Sequence, residues 1–321
     1  MPNYKRISER IEELKIDNPR NVTPGIRWIN ITNAGKNEIN YLRKNYSFDL
    51  GHLRSVAASM VSQRPLILRG PKYLFLILHF PGMKDGRVFS GEIDFFIGHG
   101  FLVSVHNNNL PAMRNFFDTS KKDPNALISF SQESSAVLLY EILGRLIHDC
   151  YRLLDENSLE IKHVEEMIFS GQHSRVAQNI LNLRSNIINV RKIMQNHKNI
   201  FKELSDMKSS LVDQGAIKKY YNDLTDNSKR LWEMLDNQKE MVEAIYETNE
   251  SLVNTRMNSI MKTLTVFSVI VFPLNLLAAV FGMNTIFMPL VDHPHGFWLI
   301  VGMMLVGMTF MLGVFKYKRW I

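Results

Sequence analysis

The sequence predicts a polar mixed α/β domain, a long helical segment behind it, and two membrane-spanning helices toward the C-terminal end. Three observations carry this. Charged residues make up 21% of the 321 residues, yet from Thr263 to Phe315 the only formal charge is Asp292. Residues 26 to 118 mix alternating and short apolar runs with turn signals, as strands do. From about Ser134 to Met261 apolar residues recur at helical spacing.

The strands come first. Ile26-Arg27-Trp28-Ile29-Asn30-Ile31 alternates apolar and polar types, the pattern of a half-buried strand. Tyr73 to Leu78 is a short apolar run ahead of Pro81-Gly82, which predicts a central strand. Ile93 to Gly98 and Phe101 to His106 flank Gly98-His99-Gly100 and predict a hairpin. A helical pattern lies around Leu50 to Val61. No glycine-rich loop has the spacing of a nucleotide site.

In the helical part, Leu138, Leu139, Ile142, Leu146 and Tyr151 share one stripe, and Ile180, Leu183, Ile187, Val190 and Met194 another. The one clear break is Val212-Asp213-Gln214-Gly215. Beyond it Leu231, Leu235, Val242, Ile245 and Leu252 mark a narrow stripe of the coiled-coil kind on one long helix. Asn249 to Met261 holds neither Gly nor Pro, so this helix is expected to continue into the apolar segment as one rod. The resulting division is 1–133, an α/β part; 134–262, a helical part with the long helix; and 263–321, a two-helix membrane domain.

Thr263 to Phe281 is 19 uncharged residues, about 28 Å of helix at about 1.5 Å per residue. Phe297 to Phe315 is a second span. The connection 282–296 holds no Lys or Arg, whereas Arg256 and Lys262 precede the first span and Lys316, Lys318 and Arg319 follow the second. The positive-inside rule then places both termini in the cytoplasm and the loop outside, with Trp298 and Trp320 at the interfaces. The residues after Met1 offer no signal peptide, and a single cysteine, Cys150, allows no intramolecular disulfide and suits a reducing compartment. The expected location is the cell's inner membrane. The net charge of +7 would fit a nucleic-acid partner. Lys and Arg interleave with Asp and Glu, however, and no nucleic-acid signature occurs, so none is expected. Histidines such as His79, His106 and His163 are too scattered for a metal-dependent hydrolase, and no catalytic residue is assigned.

The first span carries a polar face. Asn258, Met261, Thr265, Ser268, Phe272, Asn275 and Ala279 are spaced three and four apart and share one side of a helix. Polar groups in hydrocarbon must be paired or wetted, so this face lines either a helix contact or a water-filled path. A path requires several copies, since one helix encloses nothing.

Gly282-Met283-Asn284 follows the first span. With it come Met261-Lys262-Thr263-Leu264-Thr265, Phe272-Pro273-Leu274, Phe281 before Gly282, Phe287-Met288-Pro289 and the basic Lys316-Tyr317-Lys318-Arg319-Trp320. This arrangement resembles the CorA family of divalent-cation channels. Trp28-Ile29-Asn30, Gln63-Arg64-Pro65, Tyr73-Leu74-Phe75 and Phe101 to His106 extend the resemblance upstream. It implies a funnel-shaped homopentamer in the lipid bilayer, with a helix-sandwiched α/β sheet, stalk helices and two transmembrane helices. It further implies a selectivity ring of Gly282, Met283 and Asn284, and a pore lined by Asn258, Met261, Leu264, Thr265, Ser268, Phe272, Asn275 and Ala279. The cargo implied is Mg²⁺, with Co²⁺ and Ni²⁺, and no resident cofactor. The sequence also departs from the family. Val56 and Ala57 stand where sensing members carry Glu-Asp, which leaves Asp223 on the long helix as the one acid of a regulatory metal site. Asp292, His293 and His295 form an outer acid-and-imidazole cluster that would attract cations, and imidazole favours Zn²⁺. A zinc transporter of the ZntB branch and a non-conducting membrane scaffold are the alternatives.

Overall fold

A computed structural model describes residues 3–16, 25–57, 64–122, 134–170, 173–207, 214–283 and 294–320. The chain divides into two compact units, Met1–Ile245 and Tyr246–Ile321.

The first unit opens with strands β1 (Asn3–Arg6), β2 (Ile11–Ile16) and β3 (Ile26–Thr32), then helices α1 (Lys36–Tyr46) and α2 (Leu50–Ala57). Strands β4 (Leu66–Arg69), β5 (Tyr73–Lys84), β6 (Arg87–Gly98) and β7 (Phe101–His106) follow, then helix α3 (Pro111–Lys122). They form one seven-stranded sheet in the order β1-β2-β3-β7-β6-β5-β4. Every neighbouring pair is antiparallel except β3 and β7.

The expected strands and the Gly98–Gly100 hairpin are present, but β5 does not stop before Pro81-Gly82; it continues to Lys84. The pairing explains why. β4 pairs with β5 only from Leu74 to Ile77, so among the described residues no strand pairs with the outer side of β5 at Pro81, where a missing N–H costs no ladder bond. A second hairpin follows, turning on Asp85 (φ 50°) and Gly86 (φ 74°), the two positive angles of a tight primed turn. The short strands β1, β2 and β4 lack a clean alternation, and β1 and β4, the two edges of the sheet, carry exposed charges.

Helices cover both faces of the sheet. Ile29, Ile31, Phe75, Ile77, Phe96, Val103 and Val105 pack with Leu42 of α1 and Leu53 of α2 in one buried cluster. Residues of the other parity face the opposite side, where Trp28 meets Phe117 edge-on at 4.8 Å and Phe116 at 5.5 Å on α3. A buried polar chain crosses that side. Trp28 Nε1 donates to Ser104 Oγ at 3.0 Å, Ser104 donates to Asn30 Oδ1 at 2.8 Å, and His106 Nε2 lies 3.0 Å from the same oxygen. The Asn108 N–H donates to His106 Nδ1 at 3.1 Å, so the ring is neutral with its proton on Nε2, and burial lowers its pKa to about 4.

The helical part contains α4 (Ser135–Phe169), α5 (His173–Met194), α6 (His197–Asp206) and α7 (Gln214–Phe281). The expected break at 212–215 leads into α7, but two further ends occur, at Ser170 and between Met194 and His197. Neither Gly nor Pro marks the second end, where Gln195-Asn196 makes the turn. Ser134 caps α4 by accepting from the Val137 N–H. The N-terminal part of α7 binds to α4: Tyr221 donates to the Ala136 carbonyl, Tyr151 to that of Asn227, and Gln238 to that of Leu154. Arg191 of α5 adds an ion pair to Asp236 and lies 4.8 Å over the Trp232 ring. Leu231, Leu235 and Val242 are buried. Ile245 and Leu252 of the same stripe are half-buried, and beside them Tyr246, Val253, Met257 and Ile260 are exposed.

The second unit holds the end of α7 and α8 (Gly296–Tyr317). Both helices are long and apolar enough to cross a membrane.

Candidate ion pathway on the first membrane helix

Within the second unit, α7 has a covered side and an open side. Val266 and Ile270 are buried, and Lys262, Pro273, Leu274, Leu277 and Phe281 are half-buried along the same line. The Lys262 ammonium donates to the Arg319 carbonyl at 3.0 Å, tying the start of the first apolar stretch to the end of the second. The two spans therefore form an antiparallel hairpin, and the Val266–Ile270 line is the side of α7 that meets it.

Asn258, Met261, Leu264, Thr265, Ser268, Phe272, Asn275 and Ala279 all lie on the open side. Ser268 is about 200° around the helix from Val266 at about 100° per residue. Phe272 is 74% exposed, against 8% for Val266 and for Ile270. The outer surfaces of both helices are also apolar and uncovered, as at Phe267 and Phe310. A water-soluble chain does not tolerate so much exposed apolar surface; lipid and other chains are the natural cover.

Local chemistry shapes the open side. The Thr265 hydroxyl donates to the Met261 carbonyl at 2.7 Å, which leaves its oxygen lone pairs to act as acceptors. Pro273 lies inside α7 and has no N–H, so the Val269 carbonyl loses its helical donor beside this face. At the far end the Gly282 N–H still bonds the Ala278 carbonyl at 2.9 Å. A Cβ on Gly282 would come within 3.0 Å of that carbonyl oxygen, so glycine suits this close turn. Met283 is exposed. Asn284, Asp292 and His293 lie outside the described residues. His295 is exposed at the N-terminal edge of α8, where its carbonyl accepts from Leu299.

In the first unit Asp223 is exposed and held by two donors of its own chain, Tyr140 Oη at 3.2 Å and Asn227 Nδ2 at 3.3 Å. Burial, and then the Asp223 charge, push the Tyr140 phenol up to about 12. Val56 packs against the α1–α2 face of the core. Among the described residues no group of three or more His, Cys, Asp or Glu could hold a metal ion. Sequence reasoning missed the Tyr140 partner, because it sits 83 residues away on another helix. It also missed the tie from Lys262 to Arg319, since a backbone acceptor leaves no mark in a sequence.

The fold and this face define a class: a polar α/β domain that continues by one helix into a two-span membrane unit. Residues 24–319 match the family described as CorA-like Mg²⁺ transporter protein, and the chain belongs to that CorA family. A cobalt/magnesium transport protein CorA from Methanocaldococcus jannaschii is 21% identical over 98% of this chain and 96% of its own. A putative metal ion transporter from Bacillus subtilis, YfjQ, is 24% identical over 80% of this chain and 79% of its own. The solved complete structure of the Methanocaldococcus jannaschii CorA magnesium transporter superposes with a TM-score of 0.83, covering 98% of this chain and 100% of that one at 21% identity. The full-length CmaX structure gives 0.72 at 19% identity, over 94% and 92% of the two chains. At these identities the structural likeness speaks for the fold.

Proposed function

We propose that this chain is one subunit of a homopentameric channel that carries divalent cations, Mg²⁺ first and then Co²⁺ and Ni²⁺, across the cell's inner membrane. The observation that carries the reading is the open side of α7: hydroxyl and amide groups at helical spacing, opposite the line that meets α8. Five such faces around an axis would form a wetted path, and α8 would stand outside as the lipid-facing ring. Curated relatives named as magnesium and cobalt transport proteins support the cargo.

The proposed parts are residues 1–133 and 134–262 in the cytoplasm and 263–321 in the membrane, with both termini inside and loop 282–296 outside. At the outer mouth a ring of Gly282-Met283-Asn284 would select the ion. Mg²⁺ releases water reluctantly, so neutral Asn284 amide oxygens and backbone carbonyls suit a cation that keeps its hydration shell. Weak, uncharged ligation also lets the ion leave. Asp292, His293 and His295 would raise the local cation concentration. Along the pore Thr265, Ser268 and Asn275 would hydrogen-bond the ion's water, while Met261, Leu264 and Phe272 would form an apolar constriction that closes by dewetting.

The test is flux of Mg²⁺, Co²⁺, Ni²⁺ and Zn²⁺ into liposomes carrying the full chain or Asn284→Ala. Loss of flux in the variant, at equal pentamer in the membrane, is expected. Wild-type flux in Asn284→Ala would place selection elsewhere, preference for Zn²⁺ would replace the cargo, and absence of flux from wild type would leave a scaffold.

A further inference from the structure

The second unit ends in a built cationic corner. From Ser251 to Trp320 the described residues include no Asp or Glu but five cations: Arg256, Lys262, Lys316, Lys318 and Arg319. The Lys262–Arg319 contact shows that the cations preceding the first span and those following the second lie at the same end of the hairpin.

This corner has a defined backbone. Trp320 N–H donates to the Phe315 carbonyl at 2.9 Å and Arg319 N–H to that of Lys316 at 3.1 Å, with Arg319 at φ 53°. These are the two bonds of a Schellman cap, and the Trp320 ring stacks on Phe315 at 5.9 Å, the apolar contact that accompanies it. The left-handed position usually belongs to glycine, and an arginine occupies it here at some conformational cost. The turn thus holds a guanidinium next to Lys316 and Lys318, all three exposed. Exposed Tyr317 and Trp320 flank them, the aromatic types that settle at the membrane–water boundary.

We infer that this corner binds the phosphate headgroups of anionic glycerophospholipids in the leaflet at the basic end of the hairpin. The inference rests on reading α7 and α8 as membrane spans, as the proposed function does, but not on conduction. Lys and Arg donate to phosphate oxygens in a charge-assisted way, and the apolar span places that corner at headgroup depth. Lys262, drawn onto the Arg319 carbonyl, would couple headgroup binding to the closeness of the two spans. A juxtamembrane cation contributes roughly a fivefold gain in affinity for an anionic surface, so three together account for about a hundredfold.

The test takes the full chain in neutral detergent with equal amounts of phosphatidylglycerol and phosphatidylcholine, and counts retained lipids by native mass spectrometry. Wild type should retain phosphatidylglycerol preferentially. The K316Q/K318Q/R319Q variant should lose about a hundredfold of that preference, and the charge-keeping K316R/K318R/R319K variant should keep it. Should the triple Gln variant fail to assemble, Arg319→Gln alone should lose about fivefold. Equal retention of both lipids by wild type, or an unchanged preference in the Gln variants, overturns the inference. Displacement of phosphatidylglycerol by millimolar inorganic phosphate would mark a site for free phosphate and overturn it too. Cation flux in liposomes of phosphatidylcholine alone reads the channel separately, so the two proposals can fail independently.

Discussion

Single cysteines placed along α7 should label with a helical period. The wild-type chain serves as its own blank. Its one cysteine, Cys150, is buried, its thiol donates to the Leu146 carbonyl at 3.2 Å, and burial pushes its pKa up. Only the thiolate reacts, and an unperturbed thiol has a pKa of about 8.5. Bringing a charged reagent to a dry, covered position costs about 3 kcal/mol, about a hundredfold in rate. Val266 and Ile270 are each 8% exposed, and Thr265, Ser268 and Asn275 lie on the open side. Thr265→Cys, Ser268→Cys and Asn275→Cys in proteoliposomes should therefore react with a charged methanethiosulfonate at least about a hundredfold faster than Val266→Cys and Ile270→Cys. A mass shift on a gel after timed exposure reads the rate. Phe310→Cys on α8 is the control for lipid: the position is 71% exposed, yet hydrocarbon excludes a charged reagent, so it should stay unlabelled. The reasoning fails if Val266→Cys and Ile270→Cys label as fast as their neighbours, or if Phe310→Cys labels.

Trimming Phe272 to Ala should raise basal cation flux several-fold, because removing a ring of large apolar side chains widens and wets a constriction; a fall in membrane expression with unchanged flux per protein would make Phe272 a packing residue. Asp223→Ala should leave flux nearly unchanged and cost about 1 kcal/mol of stability for the lost Tyr140 and Asn227 hydrogen bonds. Millimolar Mg²⁺ should protect the chain little against proteolysis, and strong protection that vanishes in Asp223→Ala would restore the regulatory metal site. Acidification should destabilise the first unit. His106 has a folded pKa of about 4 against 6.5 when unfolded, so the unfolded chain takes the proton first. Its contribution is complete above pH 6.5 and disappears as the pH falls toward 4, at about 1.4 kcal/mol per pH unit. His106→Gln should flatten that slope in urea unfolding followed by tryptophan fluorescence, with His197, also held at about 4 by burial and then His79, keeping part of it. An identical slope in both proteins would exclude a neutral buried His106.

The sequence by itself determined the membrane hairpin and the central strands, because these depend on local quantities. A run of 19 uncharged residues is too long and too apolar for most other fates, and apolar runs such as Tyr73 to Leu78 report burial directly. The half-buried pattern expected of Ile26 to Ile31 gave way to burial on both faces, Asn30 included, because helices cover each side of the sheet. It determined which α7 residues share a face, because 3.6 residues per turn is a property of the helix alone. Tertiary structure decided which side of that helix is covered. Asn258 to Ala279 and Val266 to Ile270 are equally regular in sequence, and only the packing of the hairpin makes one open and the other buried. The same holds for β5, whose passage through Pro81 depends on where β4 stops pairing, and for the stripe on α7, buried at Val242 but only half-buried at Ile245 and Leu252. Asp223 shows the limit most plainly. Its two donors, Asn227 one turn on and Tyr140 on α4, are ordinary residues in the sequence. A contact between residues far apart in the chain depends on how helices pack, and no local pattern encodes it.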